Sequence, residues 1–206
     1  MKIRYLLFIV VFLYSSNTFV YNREPVAVKG VVDLRQTAND EFIIKLAGEW
    51  EFYWNRLLKP DDFSADINIR PDFYGKVPSY WTTYQSDLIK TTSIGFATYR
   101  LKLLLPAGYR NSLGVNMPVF DFSYEVYFDG ILMGANGIPG KTKGETKPEY
   151  KKIFFRFNPS SDSIQIVINV SNFHHRRGGF WLPMRIGTFS EVQKHYANSW
   201  ARDWSA

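Results

Sequence analysis

The sequence predicts an all-β protein, a jelly-roll β-sandwich with a short C-terminal helix, and three observations carry that reading. The 206 residues include 17 Phe, 13 Tyr and 6 Trp, a composition suited to pleated, half-buried surfaces. Apolar residues recur with period two in nine or ten short runs separated by Gly, Pro, Asn and Asp. Helical periodicity is almost absent before residue 190. Strands that bury one face, in this number, suit an antiparallel sandwich.

The chain divides into a signal peptide over 1–22, a sandwich over 23–189 and a connector helix over 190–206. Lys2 and Arg4 precede the apolar run Tyr5–Tyr14, and Ser15 to Thr18 supply a small, polar cleavage neighbourhood without an A-x-A pattern. The run is short for a bilayer span, so an uncleaved anchor reaching Tyr21 is the alternative to a cleaved export signal. The expected location is the periplasm or the extracytoplasmic face of the membrane. Removing the leader takes away two cations and no acid, lowering the formal charge from +6 to +4. Outside the cytoplasm that charge serves solubility, or meets an acidic glycan or a membrane surface, and nucleic acid is not an expected partner.

The strands follow in order. Val26/Val28 and Phe42–Leu46 open the domain, and Trp50, Phe52 and Trp54 share one face after Gly48. Phe96–Leu105 is the longest candidate, with Ala97, Tyr99, Leu101 and Leu103 on one side. Leu113–Val119 precedes Tyr124–Phe128, where Asp129-Gly130 marks a hairpin into Ile131–Met133. Ile153–Phe157, Ile164–Val170 and Trp181–Ile186 complete the set. Lys141–Lys152 is a lysine-rich loop, expected to be exposed and mobile. In the tail, Ser190 is placed as the helix N-cap, and Val192, Tyr196, Trp200 and Trp204 form a slanted ridge. That ridge either docks on the sandwich or continues toward a membrane segment.

The absence of Cys excludes disulfides, thiolate zinc sites, cysteine nucleophiles and a lipoprotein anchor. No G-x-S-x-G, H-E-x-x-H, phosphate loop or dinucleotide fingerprint occurs, so a non-catalytic protein is expected. No metal site is expected either: His174 and His175 are adjacent, which on a strand points them apart, and Arg176 and Arg177 repel a cation.

Gly48-x-Trp50-x-Phe52-Tyr53-Trp54, Val77-Pro78-x-x-Trp81, Gly95-Phe96-Ala97-Thr98-Tyr99-Arg100, Tyr124-x-Val126-Tyr127-x-Asp129-Gly130 and Val170-Ser171-Asn172-Phe173-His174-His175 with Gly178-Gly179 occur in that order. In this order and spacing the chain, from about Val31 to Phe189, resembles the extracytoplasmic sensor module of bacterial seven-transmembrane receptors with diverse intracellular signalling modules. Those modules are similar in turn to galactose-binding-like jelly rolls and to the sugar-binding domain of family 2 glycoside hydrolases. The resemblance implies a galactose-binding-like fold and a carbohydrate or small polar ligand. It also implies a membrane-domain partner, C-terminal to residue 206 or in another chain, with a homodimer as a further possibility. No cofactor is implied, and a structural calcium ion, as some related jelly rolls have, stays open.

The richest binding segment is Asn172–Pro183. Asn172, His174, His175, Arg176 and Arg177 offer amide, imidazole and guanidinium groups for hydroxyls or carboxylates, and Trp181 offers a ring for a sugar's apolar face. Trp181 alternatively anchors the last strand in the core, with Arg176 and Arg177 solvated. Tyr80 and Tyr84, on either side of Trp81, are the expected exposed aromatics. Lys141 and Lys143 are expected to rim the same end. Two further readings remain: a protein-interaction module of an exported complex, and the accessory sugar-binding domain of a split glycosidase.

Overall fold

The alternation of apolar residues resolves into twelve strands and one α-helix in the computed structural model, which describes residues 24–38, 41–64, 68–84, 86, 87 and 89–203. The proposed leader, Trp204 and the Trp200 side chain lie outside the described residues. The strands are β1 (Val31–Asp33), β2 (Ile43–Leu46), β3 (Gly48–Trp54), β4 (Phe73–Val77), β5 (Gly95–Leu104) and β6 (Leu113–Met117). Then come β7 (Ser123–Phe128), β8 (Ile131–Ile138), β9 (Lys147–Pro148), β10 (Ile153–Phe157), β11 (Ser163–Asn172) and β12 (Met184–Thr188), before helix α1 (Phe189–Asp203).

A large sheet runs β4-β3-β5-β11-β7-β8-β9, with β1 added in parallel along β5 beyond the end of β3. A small sheet, β10-β6-β12-β2, packs over it. All pairings other than that of β1 are antiparallel, as the period-two pattern requires. Register explains which residues make the core. Phe52, Tyr99, Ile168 and Val126 stand opposite one another across four strands, and all are buried. Val115 and Ile186 face them from the small sheet. Each such aliphatic side chain contributes about 1.5–3 kcal/mol by leaving water.

The outer face of the large sheet is buried too, which alternation alone does not announce. A strap, residues 55–64, crosses it: Leu58 N–H donates to Thr98 Oγ1 at 2.8 Å and Lys59 Nζ reaches the Tyr127 hydroxyl at 2.7 Å. Phe63 covers Tyr53 with ring centroids 5.3 Å apart. Tyr53 and Tyr127 are consequently pushed above the ordinary phenol value by desolvation first, then by the carboxylates of Glu51 and Glu125 beside them.

Several expectations are corrected in detail. Strand β4 is absent from the sequence reading, and the last strand starts at Met184, not Trp181. Val26 and Val28 open no strand; only isolated bridges form, at Ala27 and Val28. The helix starts one residue before Ser190. Its Val192 is buried, its Tyr196 stacks on Phe154 at 5.0 Å, and Arg156 lies over the Phe189 ring at 3.7 Å. The first two turns of the helix therefore dock on the small sheet. Among the described residues no helix is long and apolar enough to cross a membrane.

Candidate functional site

Asn172, the last residue of β11, pairs with Gly95, the first of β5, and Ser171 pairs with Ser123, the first of β7. The segments 89–94, 118–122 and 173–183 therefore gather at one end of the sandwich. Ser171 Oγ donates to the Gly140 carbonyl at 2.7 Å, which brings the start of the lysine-rich loop to the same end. That loop has its own fastenings: Lys141 N–H donates to Glu145 Oε2 at 2.8 Å, and β9 within it pairs with β8.

The 173–183 loop is held from inside. Asn172 is 1% exposed, its Nδ2 faces the carbonyls of Ser93, His175 and Arg177 at 2.7–3.0 Å, and its Oδ1 accepts the His175 N–H. Its amide is thus engaged by the loop itself. Phe180 plugs the loop into the core between Trp50, Tyr99 and Phe120. Loop and segment 79–81 are laced together by Ser79 N–H to Phe180 O and Trp81 N–H to Gly178 O, both 3.1 Å. Glycine is needed at 178 because a Cβ there would stand 2.2 Å from the Trp81 indole.

This frame sorts the aromatics. Tyr84, expected to be exposed, turns inward: it meets Phe52 and Phe73 edge-on, donates its hydroxyl to Lys76 O at 2.8 Å, and lies over Gly75. Burial pushes its phenol well above the ordinary value, and the neighbouring Tyr99 hydroxyl adds to the shift. Trp50 and Trp81 are core residues with no exposure, and Trp54 packs edge-on against Trp81. Tyr80 and Trp181 come together half-buried, with centroids 5.9 Å apart, and Trp181 rests on Phe120 at 5.3 Å. The indole N–H of Trp181 is buried without a hydrogen-bond partner, so what Trp181 offers outward is ring surface.

Arg177 stands over both rings, 5.8 Å from the Tyr80 centroid and 5.9 Å from that of Trp181, within cation–π range. Among the described residues no carboxylate forms an ion pair with it. Its exposed guanidinium therefore keeps its donors for solvent or a ligand. His175 is half-buried, its Nδ1 accepts the Arg177 N–H at 3.2 Å, and its Nε2 lies 3.6 Å from Asp121. His174 and Arg176 are exposed on the rim. The structure thus brings Tyr80, Arg177, Trp181 and His175 together and sends Asn172 and Tyr84 inward.

Sequence reasoning missed Asp121 and Phe120, which complete this cluster from the β6–β7 connection. It also missed the strap contacts of Lys59, Glu125 and Tyr127. Outward positions of the Tyr124–Phe128 alternation were the available signal for the latter two.

No family model and no curated protein matches the chain. Among solved structures it is similar to a β-glucuronidase from Ruminococcus gnavus in complex with D-glucaro-d-lactam, at 13% identity over 73% of this chain and 30% of that one, with TM-score 0.50. It is also similar to another crystal structure of Ruminococcus gnavus β-glucuronidase (14% identity, 73% and 29% coverage, TM-score 0.49). A further match is a family 2 β-galacturonidase from Eisenbergiella tayi bound to galacturonate (13%, 72% and 24%, TM-score 0.47). The chain spans between about a quarter and a third of the length of these enzymes, 24–30%. At such identities the likeness concerns the fold alone: this chain has the β-sandwich architecture found within family 2 glycoside hydrolases.

Proposed function

We propose that the protein is an exported, non-catalytic ligand-binding domain, the input module of a bacterial transmembrane signalling receptor, and that it takes a carbohydrate or another small polar molecule at the Tyr80–Arg177–Trp181 end of the sandwich. One observation carries the reading: an exposed guanidinium with no carboxylate partner among the described residues, set over two half-buried rings on a loop clamped into the core. Rings supply an apolar platform for the C–H face of a sugar, and the guanidinium pairs with hydroxyl or carboxylate oxygens. The sandwich likeness to glycoside hydrolases that act on uronides is in keeping with a sugar ligand. Helix α1, docked on the small sheet, is the natural path by which a shift at this end reaches the C-terminus.

A thermal-shift screen of residues 23–206 against mono- and oligosaccharides, uronic acids and small metabolites tests this. A ligand at 100 times its Kd stabilises by about 2.7 kcal/mol, or roughly 5–11 °C for a domain of this size. Arg177→Ala, Tyr80→Ala and Trp181→Ala should each reduce that shift while leaving the unliganded melting temperature within a few degrees. A ligand bound equally well by all three variants would place its site elsewhere.

One observation favours a second reading, a protein-interaction module. Val26, Val28 and Tyr74 are 57%, 62% and 42% exposed around an apolar hollow of about 410 Å³ beside the edge strand β4. A concentration-dependent mass in light scattering, abolished by Tyr74→Lys, would favour it.

A further inference from the structure

The registers of the small sheet set Phe154, Asn116, Arg185 and Lys45 opposite one another, one from each of its four strands. Their neighbours Val115, Ile186 and Ile44 are buried in the core, so this row lies on the outer face. Helix α1 covers one flank of that face, through Phe189 and Tyr196 on Phe154. The uncovered part is hollowed into two adjoining cavities of about 280 and 300 Å³ that share Asn116, Met117, Pro118 and Arg185. The first adds Lys45, Leu182 and Pro183; the second adds Lys152, His195 and Tyr196.

Among the described residues no carboxylate lines either cavity. Among the described residues neither Lys45 nor Arg185 has an ion-pair or hydrogen-bond partner. Two cations on adjacent strands of one sheet face, Arg185 and Lys45, are left without a counter-charge above a floor of Pro118, Leu182 and Pro183, and the amide of Asn116 flanks Arg185 on the side away from Lys45. We propose that this groove is a second binding site and that its ligand is an acidic oligosaccharide, with consecutive carboxylate-bearing sugar units seated in the two cavities. The apolar floor meets the C–H faces of the rings, Arg185 at the shared wall and Lys45 beside it meet the carboxylates, and Asn116 pairs with a hydroxyl. None of Tyr80, Arg177 and Trp181 lines the groove, so the inference stands apart from the site at the loop end.

The test is isothermal titration of the exported chain, residues 23–206, with digalacturonate, with neutral galactobiose as the matched control and sulfate as the simple anion. Digalacturonate should bind at least ten times more tightly than either. The variant carrying Lys45→Gln and Arg185→Gln should lose that binding tenfold or more with its melting temperature unchanged, because Lys45 is exposed and Arg185 half-exposed. Trp181→Ala should leave it unaltered. The proposal is overturned if galactobiose or sulfate binds as tightly, if the double variant binds as well as the parent, or if Trp181→Ala abolishes binding. It is equally overturned if digalacturonate does not bind, or if a short oligodeoxynucleotide competes for the groove more tightly.

Discussion

The hydroxyl of Tyr99, in the middle of the sandwich, accepts the backbone N–H of Phe180 at 3.3 Å. This single bond ties the central strand β5 to the tip of the loop that carries Arg177 and Trp181. Tyr99 is fully buried, and desolvation pushes its phenol far above the ordinary value, so it stays a neutral acceptor at every physiological pH.

Tyr99→Phe keeps the ring and deletes the acceptor. The Phe180 N–H, on a buried residue, is then left without a partner, at a cost of about 1–3 kcal/mol. Urea unfolding should show that loss, and amide exchange at Phe180 should quicken more than at Ile168 in the neighbouring strand. Unchanged exchange at Phe180 would show that the loop is held by its other contacts alone.

Gly178→Ala probes the same clamp from the other side. The added methyl would stand 2.2 Å from the Trp81 indole and 2.4 Å from the Ser93 carbonyl, and neither is free to retreat. Overpacking of this kind should cost about 3 kcal/mol and shift the tryptophan emission. Gly144→Ala, where nothing lies within 4 Å, is the control and should change stability by less than about 0.5 kcal/mol.

The sandwich was legible in the sequence because Ile164, Ile166, Ile168 and Val170 alternate with polar or smaller residues, as do Trp50 and Phe52 with Glu51. Asp129-Gly130 was legible because an αL turn needs those residue types, and both adopt positive φ, 44° and 85°. Strand β4 was hidden by Gly75, whose missing side chain makes room for the Tyr84 ring, a contact between segments nine residues apart. The site was only half visible. Arg177 and Trp181 follow from residue type, but local spacing does not show that Asn172 spends its amide on its own loop. Nor does it show that Tyr84 points inward while Tyr80, four residues earlier, points to Trp181. Those outcomes depend on which carbonyls and rings the tertiary fold delivers.

The docked helix gives a third expectation. Val192 is fully buried against the small sheet, seated on Gly114. Val192→Asp places a carboxylate there, and undocking the helix is the cheapest way to hydrate it. The 222 nm ellipticity should fall while the sandwich still unfolds cooperatively, with a stability loss of about 2–3 kcal/mol, the scale of one buried aliphatic side chain. Complete unfolding of the variant would mean that the helix is integral to the domain.

The last expectation concerns pH and rests on Asp129. One of its carboxylate oxygens accepts the Gln165 N–H at 2.7 Å, and the other is buried without a partner. Desolvation raises this carboxyl above the ordinary value of 3.8, and the Gln165 bond only partly offsets the rise. A raised acid binds its proton more readily in the folded state than in the unfolded one. The folded state is therefore penalised as pH climbs from 3.8 through the raised value, and bears the full penalty at neutral pH. Asp129→Asn keeps the acceptor for Gln165, suits the left-handed backbone and removes the charge. It should stabilise the protein at pH 7, with the gain fading as pH falls through the raised value and below 3.8, in paired thermal melts of the two proteins. A gain that persisted undiminished at low pH would assign the effect to turn propensity instead of the buried charge.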